Sequence, residues 1–289
     1  MSLCVMVNIL GVSFLLAAGH LLSAQELELN EKGCGQTISQ YIVNGTLAKK
    51  DQYPWMVFLK VTFPSFDSRC GGSIITRRHV LTAGHCTILL GKEVVKIDVV
   101  YGEIDINRGT KLKVVKIRRH SEYSAVPLFN DIAVLLVDKP FPYAQNAKPI
   151  CVPLVPTDFF NKEAVVAGWG RLSEDGLPTD RLMYTVVKIL PNDICAETNK
   201  YLGYRKDISY CAYGNQTDSC QGDSGGPLFV KAEAGGYVQA GIVSHGMGCA
   251  GPPGVYARVD AYAEWIEASV RSNEGYRNLD VENAEQPLL

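Results

Sequence analysis

A series of short apolar runs, each closed by turn-forming residues, limits this chain more than any other feature of its sequence. PWMVFLKVTF, GGSIIT, VVKIDVVYG, LKVVKIRRH, IAVLLVD, AVVAGWG, LMYTVVKIL, GGPLFV, YVQAGIVSHG and GVYARV follow one another between residues 54 and 259. Runs of this length and spacing read as strands, and Gly, Pro, Asn and Asp between them read as turns. A parallel sheet needs long crossover helices, and no helical periodicity separates these runs. The expected class is therefore all-β, with two antiparallel β-barrels of about six strands each. One helix is expected, at 261–270, where Tyr262, Trp265, Ile266 and Val270 recur at helical spacing and Asp260 stands ready as a cap.

The two ends of the chain differ from this body. Residues 1–24 contain no Lys, Arg, Asp or Glu and end in Ser23-Ala24, which reads as a secretory signal peptide. No second run is long enough to span a bilayer. Residues 25–41 are polar and read as a short leader, and 271–289 read as a disordered tail with little to bury. Hydrophobic residues make up 47% of the 289, which supports an ordered core between those ends. The formal charge of -2 gives no basic field for a nucleic acid.

Cysteine usage agrees with secretion. Of nine cysteines, Cys4 falls in the signal, which leaves an even set for disulfides: Cys34, Cys70, Cys86, Cys151, Cys195, Cys211, Cys220 and Cys249. Sequence alone allows about 105 pairings of eight cysteines. No C-x-x-C pair is present, so zinc-ligand spacing is absent and no metal is expected.

Three segments carry groups suited to chemistry: LTAGHC with His85, FNDIAVLLV with Asp131, and DSCQGDSGGP with Ser224. A serine hydroxyl is a weak nucleophile until an imidazole takes its proton. A carboxylate can fix the imidazole tautomer and stabilise its charged form. Glycines around Ser224 permit a tight turn and close substrate approach. The N–H groups of Gly222 and Ser224 can aim at one developing oxyanion. A plain glycine-rich turn with a solvated serine is the alternative for that stretch alone.

LTAGHC, NDIAVL, GWG, DSCQGDSGGPL and GVYARV stand in the order and spacing of the chymotrypsin-family serine proteases. Over 42–270 the chain resembles the trypsin-like branch of that family. The resemblance implies His85 as base, Asp131 as its orienting acid and Ser224 as nucleophile, in a chain order that other folds with this triad do not use. It also implies Asp218 at the floor of a selectivity pocket walled by Ser244, His245, Gly246 and Gly254. Cleavage after Arg or Lys is then expected, since an acid there pairs with either cation. The rival readings are cleavage after aromatic residues and a non-catalytic binding protein on the same fold. Two positions depart from the usual pattern. Gly84 stands where the family usually has Ala, and His245 where it usually has Trp.

The resemblance further implies a zymogen cut between Tyr41 and Ile42, the new ammonium pairing with Asp223. Tyr41 is an unusual residue before that bond, so a chymotrypsin-like activator fits better than self-activation, with trimming from an earlier cut at Lys32 as the alternative. Implied disulfides are Cys34–Cys151, Cys70–Cys86, Cys195–Cys211 and Cys220–Cys249. The expected partners are protein or peptide substrates, the activating protease and protein inhibitors, with no nucleic acid, no membrane and a monomeric state. No cofactor is expected. Glu103 lies in a loop that binds calcium in some relatives, but with Asp105 it makes a poor ligand set. Asn44 and Asn215 match glycosylation acceptors.

Overall fold

A computed structural model describes residues 28–37, 46–171, 175–199, 203–214, 222–246, 252–272 and 275–279. It confirms the all-β expectation, with two closed six-stranded antiparallel barrels and a short C-terminal helix. The first barrel comprises β1 (Met56–Phe63), β2 (Phe66–Ile74), β3 (His79–Thr82), β4 (Lys96–Tyr101), β5 (Thr110–Arg119) and β6 (Ala133–Val137). Its strand order is β6-β3-β2-β1-β4-β5, and pairing of β6 with β5 closes it. The second comprises β7 (Glu163–Gly168), β8 (Met183–Ile189), β9 (Ser209–Tyr213), β10 (Pro227–Lys231), β11 (Tyr237–His245) and β12 (Gly254–Arg258). Its order is β8-β7-β10-β11-β12-β9, closed by β8 on β9.

The strands bury what their sequences alternate. On β5, Leu112, Val114 and Ile117 point into the barrel while Lys111 and Lys113 are exposed. The change of step between Val114 and Ile117 is a register shift opposite Leu136 and Val137, which leaves Val115 as the extra residue. One continuous core joins the two barrels. Tyr53 and Trp55 meet Phe229 with ring centroids 5.0 and 5.3 Å apart. Phe58 meets Trp169 at 5.9 Å. Edge-to-face aromatic pairs of this kind add about 0.5–1.5 kcal/mol each beyond their burial. Aromatic contacts therefore lock the two barrels against each other.

Three of the four expected disulfides are present, Cys34–Cys151, Cys70–Cys86 and Cys195–Cys211. Cys220–Cys249 lies outside the described residues. The leader is built into the body beyond its disulfide. Asn30 exchanges two hydrogen bonds with the main chain of Val152, at 2.8 and 2.7 Å. Gly35 bonds to Pro149 O and to Tyr237 N, and a Cβ at Gly35 would lie 2.2 Å from Tyr237 O.

The structure corrects three expectations. The C-terminal helix begins with a 3-10 turn, Val259–Tyr262, before α2 (Ala263–Arg271). Asp260 does not cap it. Its carboxylate accepts from Arg258 at 2.6 Å and from the Thr157 N–H at 3.1 Å. Asp260 lies inside that turn rather than at its N-cap, and Arg258 and Thr157 occupy both of its oxygens. A second helix, α1 (Asn192–Thr198), was not expected, because seven residues are too few to display a helical stripe. Residues 275–279 of the expected disordered tail are also structured. Arg277–Asn278 forms β13 and pairs with Ile117 and Lys116 on β5. Pairing of β4 with β5 ends at Lys113, so this stretch of the β5 edge lacked a neighbour. Leu279 is buried and its N–H bonds to Val115 O at 2.9 Å. Tyr276 OH bonds to Ser269 O on α2.

Candidate active site

His85 lies in a 3-10 turn, Gly84–Thr87, just beyond β3, where Cys86 is tied to Cys70 on β2. Asp131 lies two residues before β6. The β3–β6 register sets Thr82 opposite Ala133, so the approach to His85 and the entry from Asp131 are neighbours. Asp131 Oδ2 is 2.8 Å from His85 Nδ1, and Asp131 Oδ1 accepts the His85 backbone N–H at 2.8 Å. Asp131 is 3% exposed. Burial alone would raise its carboxyl, but the His85 charge and the bonds from His85 and Ser244 outweigh that and hold it below the usual carboxylate range. The same balance raises His85. Burial pushes the imidazolium down, and the Asp131 charge and hydrogen bond push it up further.

Ser224 comes to this pair from the other barrel. Gly71 N on β2 donates to Ser224 O at 2.7 Å. Cys86 Sγ lies 3.9 Å from His85 Nε2 and 3.7 Å from Ser224 O, so imidazole and serine main chain flank one sulfur. Gly225, at φ +79°, explains the close approach. A Cβ there would lie 2.2 Å from Thr82 Oγ1 and 3.1 Å from Ala83 N, on the segment that carries His85. Among the described residues the Ser224 hydroxyl makes no direct hydrogen bond to His85. Such bonds often tighten only when a site is occupied.

Gly222 has φ +103°, and a Cβ on it would lie 2.9 Å from Gly170 Cα. The Asp223 carboxylate packs against the same GWG turn. Gly170 N donates to Asp223 Oδ1 at 2.8 Å, and a methyl at Gly168 would fall 2.0 Å from that oxygen. Both glycines of that motif thus make room for one carboxylate, a relation the sequence reading missed.

Of the expected pocket wall, Ser244 and His245 end β11 and Gly254 begins β12. A Cβ on Gly246 would lie 3.6 Å from Gly254 Cα, so the two small residues face each other. Ser244 does more than line a wall, since its Oγ–H donates to Asp131 Oδ2 at 2.6 Å. Gly84 also has a local reason. A methyl there would lie 2.8 Å from Tyr123 Cδ2 and 3.3 Å from Asp131 Oδ1, so the Tyr123 ring occupies that space. Asp218, Tyr41, Ile42, Asn44 and Asn215 lie outside the described residues.

Cys70, His85 and Cys86 cluster closely enough to resemble a metal site. The two sulfurs are joined to each other, which leaves a single imidazole and no ligand set. Among the described residues no helix is long and apolar enough to cross a membrane.

A sequence model described as Trypsin matches residues 42–266. The chain is 37% identical over 245 residues to serine protease filzig of Drosophila melanogaster, covering 78% of this chain and 14% of that protein. It is 35% identical over 241 residues to a venom protease of Bombus pensylvanicus, covering 77% of this chain and 96% of that one. It is 31% identical over 273 residues to inactive CLIP domain-containing serine protease A28 of Anopheles gambiae, covering 86% and 70%. The chain therefore spans only about a seventh of filzig.

Proposed function

Because the chain belongs to the trypsin family of serine proteases, we propose that it is a secreted endopeptidase cleaving after Arg or Lys through an acyl-enzyme. The observation that carries this reading is the two-point hold of Asp131 on His85, at 2.8 Å from both the ring Nδ1 and the backbone N–H. A carboxylate so placed keeps the proton on Nδ1 and leaves the Nε2 lone pair for a serine proton.

In this reading Ser224 attacks the substrate carbonyl while His85 Nε2 takes the hydroxyl proton. The carbonyl oxygen becomes an oxyanion, held by the Gly222 and Ser224 N–H groups. His85 then returns the proton to the leaving amine, which departs as the acyl-enzyme forms. Water repeats the cycle with His85 as base, releases the new carboxyl terminus and restores Ser224. Asp218 supplies the charge that selects Arg or Lys, and the facing Gly246 and Gly254 leave room for a long side chain.

Activation is read as cleavage between Tyr41 and Ile42. The freed ammonium would join Asp223, whose carboxylate packs against Gly168 and Gly170. That ion pair would order the turn carrying Ser224. The Cys34–Cys151 disulfide keeps the leader attached after the cut. Tyr41 does not suit a pocket built on Asp218, so the activator is a second protease that cuts after aromatic residues. Residues 1–24 and the disulfides support export.

The test is to sequence the N-terminus of the active form and profile its cleavage sites. Ile42 at the terminus and Arg or Lys before the cut bonds are expected. Another terminus rejects the activation site, and preference for Tyr or Phe rejects the role of Asp218. Ser224→Ala should remove acyl-enzyme formation, and retained turnover would reject the nucleophile.

A further inference from the structure

One more titratable side chain joins the hydrogen bonds around Asp131. Ser244 Oγ lies 2.6 Å from Asp131 Oδ2 and 3.0 Å from His245 Nδ1. A hydroxyl carries one proton and two lone pairs. Asp131 is ionised and can only accept, so the Ser244 proton goes to it. The contact with His245 then works only if Nδ1 carries a proton and donates to Ser244 Oγ. Neutral His245 is thereby fixed as the Nδ1–H tautomer, and the bonds run His245 to Ser244 to Asp131.

We propose that His245 is a positioning residue that acts on His85 through Ser244 and Asp131. A donor behind Ser244 polarises its hydroxyl and strengthens the bond to Asp131. Ser244 is 7% exposed and Asp131 3%, so water does not screen that polarisation. A better stabilised carboxylate pulls less on the His85 imidazolium, and protonation of His245 adds a positive charge of the same sign of effect. Both make His85 easier to deprotonate. The indole usual at this position in relatives does not titrate. Among the described residues, Tyr123 and Tyr262 also face Asp131, with Arg119 acting on Tyr123 and Arg205 and Asp207 on Tyr262. Burial, with the Asp131 charge, pushes Tyr123 up to about 12 and raises Tyr262 likewise, while β12 presents uncharged Val255 opposite His245.

This inference rests on the reading of His85 as base and Asp131 as its orienting acid. The test compares kcat/KM against pH for the processed protein, His245→Phe and His245→Asn, with an arginyl anilide as substrate. Phe removes the donor. Asn places an amide N–H near the Nδ1 position without a titrating charge. The acid limb should move up by about half a pH unit in His245→Phe, and lie closer to the parent in His245→Asn. An unmoved limb in His245→Phe, or equal shifts in both variants, would overturn the proposal. Nitrogen-15 spectra of histidine-labelled protein decide the geometry without reference to activity. Neutral His245 should carry its proton on Nδ1, and the Nε2–H form would overturn the chain of bonds. Absence of hydrolysis by the processed parent would instead reject the catalytic reading.

Discussion

Asp131 holds His85 at two points, ring Nδ1 and backbone N–H, each at 2.8 Å. The second bond fixes the position of the residue and the first fixes its tautomer. Asp131→Asn keeps the size of the side chain but replaces an acceptor with an amide donor. That donor cannot face Nδ1–H, so the proton shifts to Nε2 and the lone pair toward Ser224 is lost. On the proposed mechanism kcat falls by about 10⁴-fold with little change in KM. Steady-state kinetics on an arginyl anilide check this, and a loss under tenfold would remove Asp131 from its role.

The same pair sets the pH dependence of activity. His85 must be neutral to accept a proton, and its folded value is raised above 6.5 because Asp131 outweighs burial. The acid limb of kcat/KM should therefore lie above 6.5 and rise with pH. An acid limb below 6.5 would mean that desolvation outweighs the carboxylate in the folded protein.

Gly168→Ala probes the turn beneath Ser224. The added methyl would fall 2.0 Å from Asp223 Oδ1, closer than any real contact, so the carboxylate must swing away and lose the Gly170 N–H. Overpacking of this kind costs roughly 1–3 kcal/mol. Activity should fall at least about tenfold, since the displaced carboxylate adjoins the nucleophile in sequence. Thermal melts and active-site titration separate the two effects. Full activity would show that Asp223 does not position Ser224.

Period-2 runs and turn residues made the barrels legible in the sequence, because a strand with one buried face must alternate. The segments with His85, Asp131 and Ser224 were legible because their chemistry is carried by residue type. Contacts across the fold were not. Nothing in GWG indicates that its glycines accommodate Asp223, and nothing in TAGHC indicates that Tyr123 fills the space beside Gly84. Ser244 read as pocket wall, since its bond to Asp131 spans 113 residues. The tail misled for a different reason. Its composition is polar, but pairing at Arg277–Asn278 is set by a vacancy on β5, which no local pattern encodes.

That terminal strand makes its own prediction. Leu279 is 6% exposed, and full burial of a leucine is worth about 1.5–3 kcal/mol. Leu279→Ala should lower stability by about 2–3 kcal/mol with kcat/KM unchanged. Denaturant unfolding measures the first and anilide kinetics the second. A stability unchanged within error would mean that β13 adds nothing to the first barrel.

His79 supplies an acid-sensitive element outside the proposed catalytic groups. It is 2% exposed, and Thr76 Oγ1 lies 2.8 Å from its Nδ1. The Thr76 oxygen already accepts from the N–H groups of Arg78 and His79, so its proton goes to Nδ1. Burial, with a smaller push from Arg78, depresses the imidazole to about 3. In the unfolded chain it titrates near 6.5. Between those values the unfolded state binds a proton that the native state refuses, so stability is complete above 6.5 and drains as pH falls toward 3. The loss is at most on the order of 5 kcal/mol at the acid end. His85, raised by Asp131, loses its contribution only as pH rises, and Asp131, lowered, acts only below 3.8. His120 is lowered mainly by burial and adds a change of the same sign, so a variant is needed to isolate His79. His79→Phe should flatten the fall in unfolding free energy from pH 6.5 to 4. It also costs a buried partner for Thr76, about 1–3 kcal/mol at every pH. The slope is the readout, and a slope equal to the parent's would show that another group drives acid unfolding.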